Sequence, residues 1–318
     1  MISKKNIHKI ATILPYKESY TLGYASAVSL WVSEFFKNSI YKNNNFIYGN
    51  TKEGKYLTKN YRNIFLDTLK FRFQSTSNEY IEKLIIKLSE EKFDIIEIHN
   101  RPLVLLKLIG KVDARYIMYY HNDPLSMSGS KSISERNEII NKVDKLVFIS
   151  KWVKDRFFKG VNNKFLEKTE IIYHSVDKRK KITKSKYIVF AGKLNYSKGY
   201  DIFKDAVLKI LDEYPDWKAF SIGNESRRNI YINHKQHKEL GFLDHKKTLK
   251  ILDKSEIAVV PSRWEEPFGR VALEAAASGC ATITSGTGGL SEASNHIINI
   301  DKINSNKLYK NIRSLIEN

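Results

Sequence analysis

Glu266-Pro267-Phe268-Gly269-Arg270-Val271-Ala272-Leu273-Glu274 sets two carboxylates eight residues apart across the entrance to an apolar segment. Pro267 suits the opening turn of a helix, Phe268 to Ser278 is rich in Val, Leu and Ala, and Gly279 supplies a left-handed stop. The spacing therefore predicts a helix over Phe268 to Ser278, with Glu266 in the loop before it and Glu274 about two turns in. At about 1.5 Å rise per residue the two carboxylates would stand roughly 12 Å apart. That exceeds the roughly 5 to 9.5 Å of a hydrolytic carboxylate pair, so two separate tasks are expected rather than one shared proton. A helix start also gathers unpaired N–H groups, and Phe268 and Gly269 would present backbone donors to an anion. Taken alone, the stretch reads equally well as a carboxylate near a helix cap followed by a solvated or paired helix residue.

Working outward, strand-like apolar runs alternate with helical patterns, which implies an α/β chain with parallel sheets covered by helices. Strands are expected at Ile7 to Leu14, Phe93 to Ile98, Tyr116 to Tyr120, Leu146 to Ile149 and Ile171 to Tyr173, with helices near Tyr24 to Lys37, Glu79 to Glu91 and Ser132 to Lys142. A second series follows, with strands at Ile188 to Ala191, Ala219 to Ile222, Ile257 to Val260 and Ala281 to Thr284. Its helices are expected near Gly199 to Asp212, Lys246 to Asp253 and Phe268 to Ser278, and an amphipathic segment, Asn304 to Ile316, reads as a closing helix. The basic polar stretch Asp177 to Lys186 reads as the linker. The expected division is 1–180, 181–302 and a last helix over 303–318.

The chain of 318 residues, 42% hydrophobic, can supply two cores. No apolar run reaches the roughly 20 residues needed to span a bilayer, and Met1 to Asn6 is polar, so a cytoplasmic protein is expected. The single cysteine, Cys280, opens an apolar run and reads as core packing. The 54 Lys and Arg against 35 Asp and Glu give a formal charge of +19, which invites an anionic partner without choosing among nucleic acid, lipid headgroups and phosphorylated substrates. Ordinary solvated lysine is the alternative. The basic residues are spread along the chain and no paired Cys/His finger, RRM-type aromatic signature or recognition helix is evident, so nucleic acid is not the expected partner.

Several chemistries are set aside by their motifs. Gly286-Thr287-Gly288-Gly289-Leu290-Ser291 is a poor match to a dinucleotide fingerprint, since its sixth position is serine. P-loop and nucleophile-elbow motifs are missing, and so is an Asp-x-Asp pair that would hold a metal against a diphosphate. Phosphate charge would have to be met by lysines and backbone amides. Gly192-Lys193-Leu194-Asn195-Tyr196-Ser197-Lys198-Gly199 offers such groups between a strand and a helix, at the carboxyl edge of a parallel sheet where ligands bind. Surface lysines around a tight turn would give the same pattern.

Taken in order, Gly-Lys-x-x-x-x-Lys-Gly, Pro261-Ser262, Glu266-Pro267-Phe268-Gly269, Glu274-Ala275, Gly279 and Gly288-Gly289-Leu290-Ser291-Glu292 resemble the donor domain of the family 4 retaining glycosyltransferases. The resemblance is specific over Tyr187 to Glu292. It is looser over the first half, where it rests on Gly23, His121 and Phe148-Ile149-Ser150-Lys151-Trp152-Val153. The implied fold is GT-B: two Rossmann-like domains with parallel sheets facing a cleft, the last helix crossing back to the first domain.

The resemblance also implies roles. Glu274 would accept hydrogen bonds from the ribose hydroxyls, and Glu266 would face the donor sugar with the Phe268 and Gly269 amides beside it. Lys193 and Lys198 match the cationic pair on the diphosphate, although the family usually has Arg at the first position, so Lys193 keeps the charge without the bidentate fork. Gly23 would let the backbone approach the phosphates. Gly241 and Phe242 fall where the family holds the nucleobase, and His121 resembles the histidine lining the acceptor side of the sugar, with a histidine satisfied at a strand end as the alternative. Ser175 replaces a common glycine.

The implied reaction is metal-independent transfer, with retained configuration, of a hexosyl or N-acetylhexosaminyl group from a nucleotide diphosphate sugar such as a UDP-sugar. No organic cofactor is implied. The acceptor would be a glycan or lipid-linked glycan of a bacterial envelope polysaccharide or lipopolysaccharide pathway. The basic, aromatic-rich region Tyr41 to Phe73 would meet an anionic membrane surface as a peripheral contact. A non-catalytic nucleotide-sugar binder and, more remotely, a basic nucleic-acid-binding protein remain the competing readings.

Overall fold

The computed structural model describes residues 8–52, 54–66, 75–162, 165–177, 179–226 and 230–318. The chain divides into two compact units, Met1–Ile172 and Tyr173–Asn318.

In the first unit the order is β1 (Ile10–Ile13), α1 (Ala27–Asn38), β2 (Asn45–Gly49), β3 (Tyr61–Asn63), α2 (Thr76–Glu91), β4 (Ile95–His99) and α3 (Pro102–Leu108). There follow β5 (Arg115–Tyr120), α4 (Ile133–Lys142), β6 (Lys145–Phe148), α5 (Lys151–Phe158) and β7 (Thr169–Ile171). The strands form one parallel sheet in the order β3-β2-β1-β4-β5-β6-β7. The apolar face of α1, with Val28, Trp31 and Val32, packs on Leu14, Ile47, Tyr119 and Val147. Serines start the helices: Ser26, Ser132 and Ser150 each accept a backbone N–H at the entrance to α1, α4 and α5, and Glu135 closes a capping box with Ser132.

The second unit runs β8 (Ser185–Ala191), α6 (Tyr200–Glu213), β9 (Lys218–Ile222), β10 (His237–Gly241), α7 (His245–Lys254), β11 (Ser255–Val260), α8 (Arg270–Ala277), β12 (Ala281–Thr284), β13 (Ile297–Asn299) and α9 (Ser305–Glu317). Its sheet is again parallel, ordered β10-β9-β8-β11-β12-β13. Strand alternation divides the core. Ile188, Phe190, Ile257 and Val259 pack with Ile202, Phe203 and Ile210 of α6, whereas Val189 and Ala258 pack with Leu252 and Ala275 of α7 and α8.

Each sheet thus holds the doubly wound 3-2-1-4-5-6 order, with reversals between β1 and β4 and between β8 and β11. Loops at the carboxyl ends of those strands are where such folds bind ligands.

Four expectations are corrected. The region expected as a loop, Tyr41 to Phe73, contains β2, whose apolar run is only Phe46-Ile47-Tyr48, and the short, mostly polar β3; its residues 53 and 67–73 lie outside the described residues, as do residues 1–7. The linker is not independent: Arg179 donates to the Asp253 carboxylate and Lys184 Nζ to the carbonyls of Asp253 (2.9 Å) and Ser278 (2.6 Å), so the division falls earlier, after Ile172. The closing helix α9 lies in the second unit with Leu308 and Ile312 buried in the core around α6, which differs from the expected crossing back to the first domain. Its amphipathic face finds an apolar partner close in space, as helix burial requires. The fourth concerns α8, which starts at Arg270 rather than Phe268, because Gly269 takes the left-handed conformation (φ 101°) at its N-cap.

Cys280 is buried as expected. Its thiol donates toward the Leu252 carbonyl at 3.1 Å, and burial pushes its pKa up to about 11.

Candidate functional site

The loops after β8 and β11 meet in the second unit at the sheet's reversal. Lys198 Nζ lies 2.5 Å from Glu266 Oε1 and 4.1 Å from the centre of the Trp264 ring. Both partners of this ion pair are largely shielded, at 22% and 14% side-chain exposure, so it is screened far less than a surface pair. Lys193, the other lysine of the motif, is exposed and has no described side-chain partner.

Arg263 laces the two loops together. Its guanidinium makes two bonds of 2.6 Å to the Asp201 carboxylate and one of 2.8 Å to the Tyr196 carbonyl, and lies 3.7 Å over the Tyr196 ring. The Arg263 and Trp264 amides donate to the Ser197 carbonyl at 2.9 and 3.0 Å. Gly199 is required at the crossing, since a Cβ there would run into the Pro261 carbonyl.

Glycines also fix Glu266 from the other side. Glu266 bridges Gly288 in parallel, and the Gly289 amide donates to the Glu266 carbonyl at 2.6 Å. A Cβ on Gly288 would strike that carbonyl, and one on Gly289 would strike the carbonyl of Pro267. Phe268 is buried, its ring stacked at 5.1 Å on His174.

Glu274 sits one layer deeper, on α8. Oε1 accepts from Arg270 Nε at 2.7 Å and lies 2.8 Å from His245 Nε2. Burial alone would raise its pKa, but the His245 hydrogen bond and the Arg270 charge hold it below the usual carboxylate range. An ionised, buried carboxylate fixed through one oxygen suits a bidentate acceptor for vicinal hydroxyls. Gly241 ends β10 at φ +67° with open space around its Cβ position, and Phe242 beside it is exposed.

In the first unit, His121 and His99 meet at the carboxyl ends of β5 and β4: His99 Nδ1 lies 2.8 Å from His121 Nε2. The His121 amide donates to Asn100 Oδ1 at 2.7 Å, and Trp31 packs edge-on to the His121 ring at 5.0 Å. Burial pushes the His121 pKa down to about 3 and, helped by His121, that of His99 well below its usual value. Gly23 is exposed, takes no left-handed conformation and has open space around it, so the backbone there does not require glycine.

The structure therefore brings Lys198 and Glu266 into contact and sets Glu274 in its own cluster. His121 and Gly23 belong to the first unit. Sequence reasoning missed His99, Arg263, Trp264, His245 and Arg270. Arg263 and Trp264 sit between the motif residues Ser262 and Glu266, and Arg270 lies one turn before Glu274. His99 and His245 carried no local signal.

These features define a class. The fold is GT-B, and residues 174–318 match the family model described as glycosyl transferases group 1. An uncharacterized glycosyltransferase of Methanocaldococcus jannaschii, MJ1607, is 27% identical over 256 residues, 70% of this chain and 65% of that protein. The chain spans 61 to 65% of the length of the curated relatives that match about two thirds of it. Among solved structures, HepE of Anabaena, in complex with UDP-glucose, aligns at TM-score 0.73 and 16% identity, covering 98% of this chain and 90% of that one. The lipopolysaccharide outer core galactosyltransferase WaaB aligns at TM-score 0.64 and 16% identity, covering 97% and 90%. Among the described residues, no helix is long and apolar enough to cross a membrane.

Proposed function

We propose that this protein is a retaining glycosyltransferase, moving a hexosyl or N-acetylhexosaminyl group from a nucleotide diphosphate sugar to a hydroxyl of a glycan or lipid-linked glycan. The observation that carries the reading is the shielded Lys198–Glu266 pair at the reversal of the second sheet, with the ionised Glu274 behind it.

Glu274 accepts the ribose hydroxyls, Lys198 and Lys193 meet the diphosphate, and Glu266 orients the sugar. Phe268 and Gly269 offer amides beside it, and Gly241 and Phe242 border the base. The bond from the anomeric carbon to the phosphate oxygen breaks on the face where the acceptor oxygen bonds. The acceptor proton passes to the departing diphosphate, whose growing charge the lysines stabilise in place of a metal ion. HepE's complex with UDP-glucose supports a UDP-sugar donor, and the likeness to WaaB supports an acceptor of the bacterial envelope, reached at the cytoplasmic face of an anionic membrane.

The test is a panel of nucleotide sugars screened by thermal shift, followed by donor hydrolysis. Wild type should be stabilised by one donor class and turn it over, while Glu266→Gln loses turnover and Glu274→Ala loses affinity. Binding without turnover would leave a non-catalytic nucleotide-sugar protein. Salt-sensitive nucleic-acid affinity indifferent to both substitutions would replace the reading altogether.

A further inference from the structure

Trp264 is 46% exposed, an indole left at the surface beside the shielded Lys198–Glu266 pair. Its backbone is fixed from both sides: its amide donates to the Ser197 carbonyl at 3.0 Å, and its carbonyl accepts from Ser262 Oγ at 3.0 Å and Thr287 Oγ1 at 3.2 Å. Neighbouring Arg263 anchors the same loop to Asp201. The backbone that carries the ring is thus fixed, and the ammonium of Lys198 lies over the ring at 4.1 Å while contacting Glu266 Oε1 at 2.5 Å. A lysine stem is flexible, and an aromatic face restricts where its charge rests without competing for its hydrogen bonds.

We propose that Trp264 is a positioning residue that holds Lys198 at a point shared by two anions, Glu266 and the sugar-side phosphate of a nucleoside diphosphate. The inference rests on the donor reading above. Without ligand the carboxylate takes the ammonium. When the diphosphate arrives, Lys198 transfers its hydrogen bonds to phosphate while remaining on the ring, and Glu266 is released to accept from a sugar hydroxyl. Because Lys198 touches the carboxylate assigned to the sugar, the phosphate it reaches is the one farther from the nucleoside. Trp264 therefore sets the preference for nucleoside diphosphate over monophosphate.

The experiment is calorimetry on the full chain with UDP, GDP and ADP and the corresponding monophosphates. For the nucleotide that binds, Trp264→Leu should lower the ratio of diphosphate to monophosphate affinity by about tenfold, and Trp264→Phe should hold it within about threefold of wild type. Glu266→Gln, which removes the competing carboxylate, should tighten diphosphate binding severalfold, and that gain should vanish in the Trp264→Leu background. An unchanged ratio in Trp264→Leu overturns the inference. So does an equal loss of both affinities, which would give the ring a purely structural role. If wild type binds none of the diphosphates, the donor reading falls and takes this inference with it.

Discussion

His99 Nδ1 and His121 Nε2 meet at 2.8 Å across the ends of β4 and β5, two imidazoles sharing one hydrogen bond inside the first unit. One must donate and the other accept, so the hydrogen bond is lost once both rings are imidazolium.

That relationship sets a pH dependence. The His121 pKa falls from 6.5 to about 3, and that of His99 falls in the same direction, so below pH 6.5 the unfolded chain binds protons that the folded chain refuses. Stability is fully present above the unfolded value and is lost as the pH falls toward the folded one, at up to about 1.4 kcal/mol per pH unit for each histidine. Urea denaturation between about pH 7 and about pH 5 should show this slope, and the His99→Gln/His121→Gln variant should flatten it. A slope unchanged in that variant would place the acid sensitivity elsewhere.

Glu274 should matter to stability as well as to ligand. Arg270 has only 9% side-chain exposure, and Glu274→Ala leaves it without this carboxylate, a loss of about 3 kcal/mol. Adding Arg270→Ala should restore part of that loss, a coupling that a double-mutant cycle in urea reads directly. Strict additivity would argue against the pair.

Glycine substitutions separate backbone need from open space. Gly289→Ala drives a methyl into the Pro267 carbonyl and should cost at least about 2 kcal/mol, displacing Glu266 as well. Gly241→Ala meets no atom but keeps φ at +67°, which costs about 1 kcal/mol. Gly23→Ala should be neutral for folding to within about 0.5 kcal/mol, so any loss of activity there would report ligand contact alone. Melting temperatures of the three variants test the order.

Leu308 and Ile312 of α9 are fully buried in the second core. Leu308→Ala should cost about 2 to 5 kcal/mol, measured by denaturant unfolding. A cost near zero would mean that the helix is not held on α6.

Much of this was legible because buried parallel strands are continuous apolar runs: Ala281–Thr284 was expected to the residue, and Ile257 to Val260 fell within Ser255–Val260. The strands that escaped, Tyr61–Asn63, His237–Gly241 and Ile297–Asn299, lie at sheet edges, with Asn45–Gly49 next to one. Tyr61–Asn63 and His237–Gly241 are short and mostly polar, and the apolar runs of Asn45–Gly49 and Ile297–Asn299 are only three and two residues long, too short to stand out as strands. The start of α8 was misplaced for a different reason. Pro267 fits a helix N-terminus in general, but the left-handed Gly269 decides this one, at a position where the Leu290 side chain would collide with any Cβ.

The sequence by itself determined the two βα series, the order of the motif residues and the separation of Glu266 from Glu274, because periodicity and spacing are local properties of the chain. It left Lys198 and Lys193 equivalent. Only the tertiary structure distinguished them, since Glu266, Trp264 and Lys198 come from loops after two strands that become neighbours solely through the pairing of β8 with β11. His245 and His99 were brought to Glu274 and His121 in the same way. A charge's partner is fixed by distance in space, and sequence spacing carries that information only within a single helix or turn.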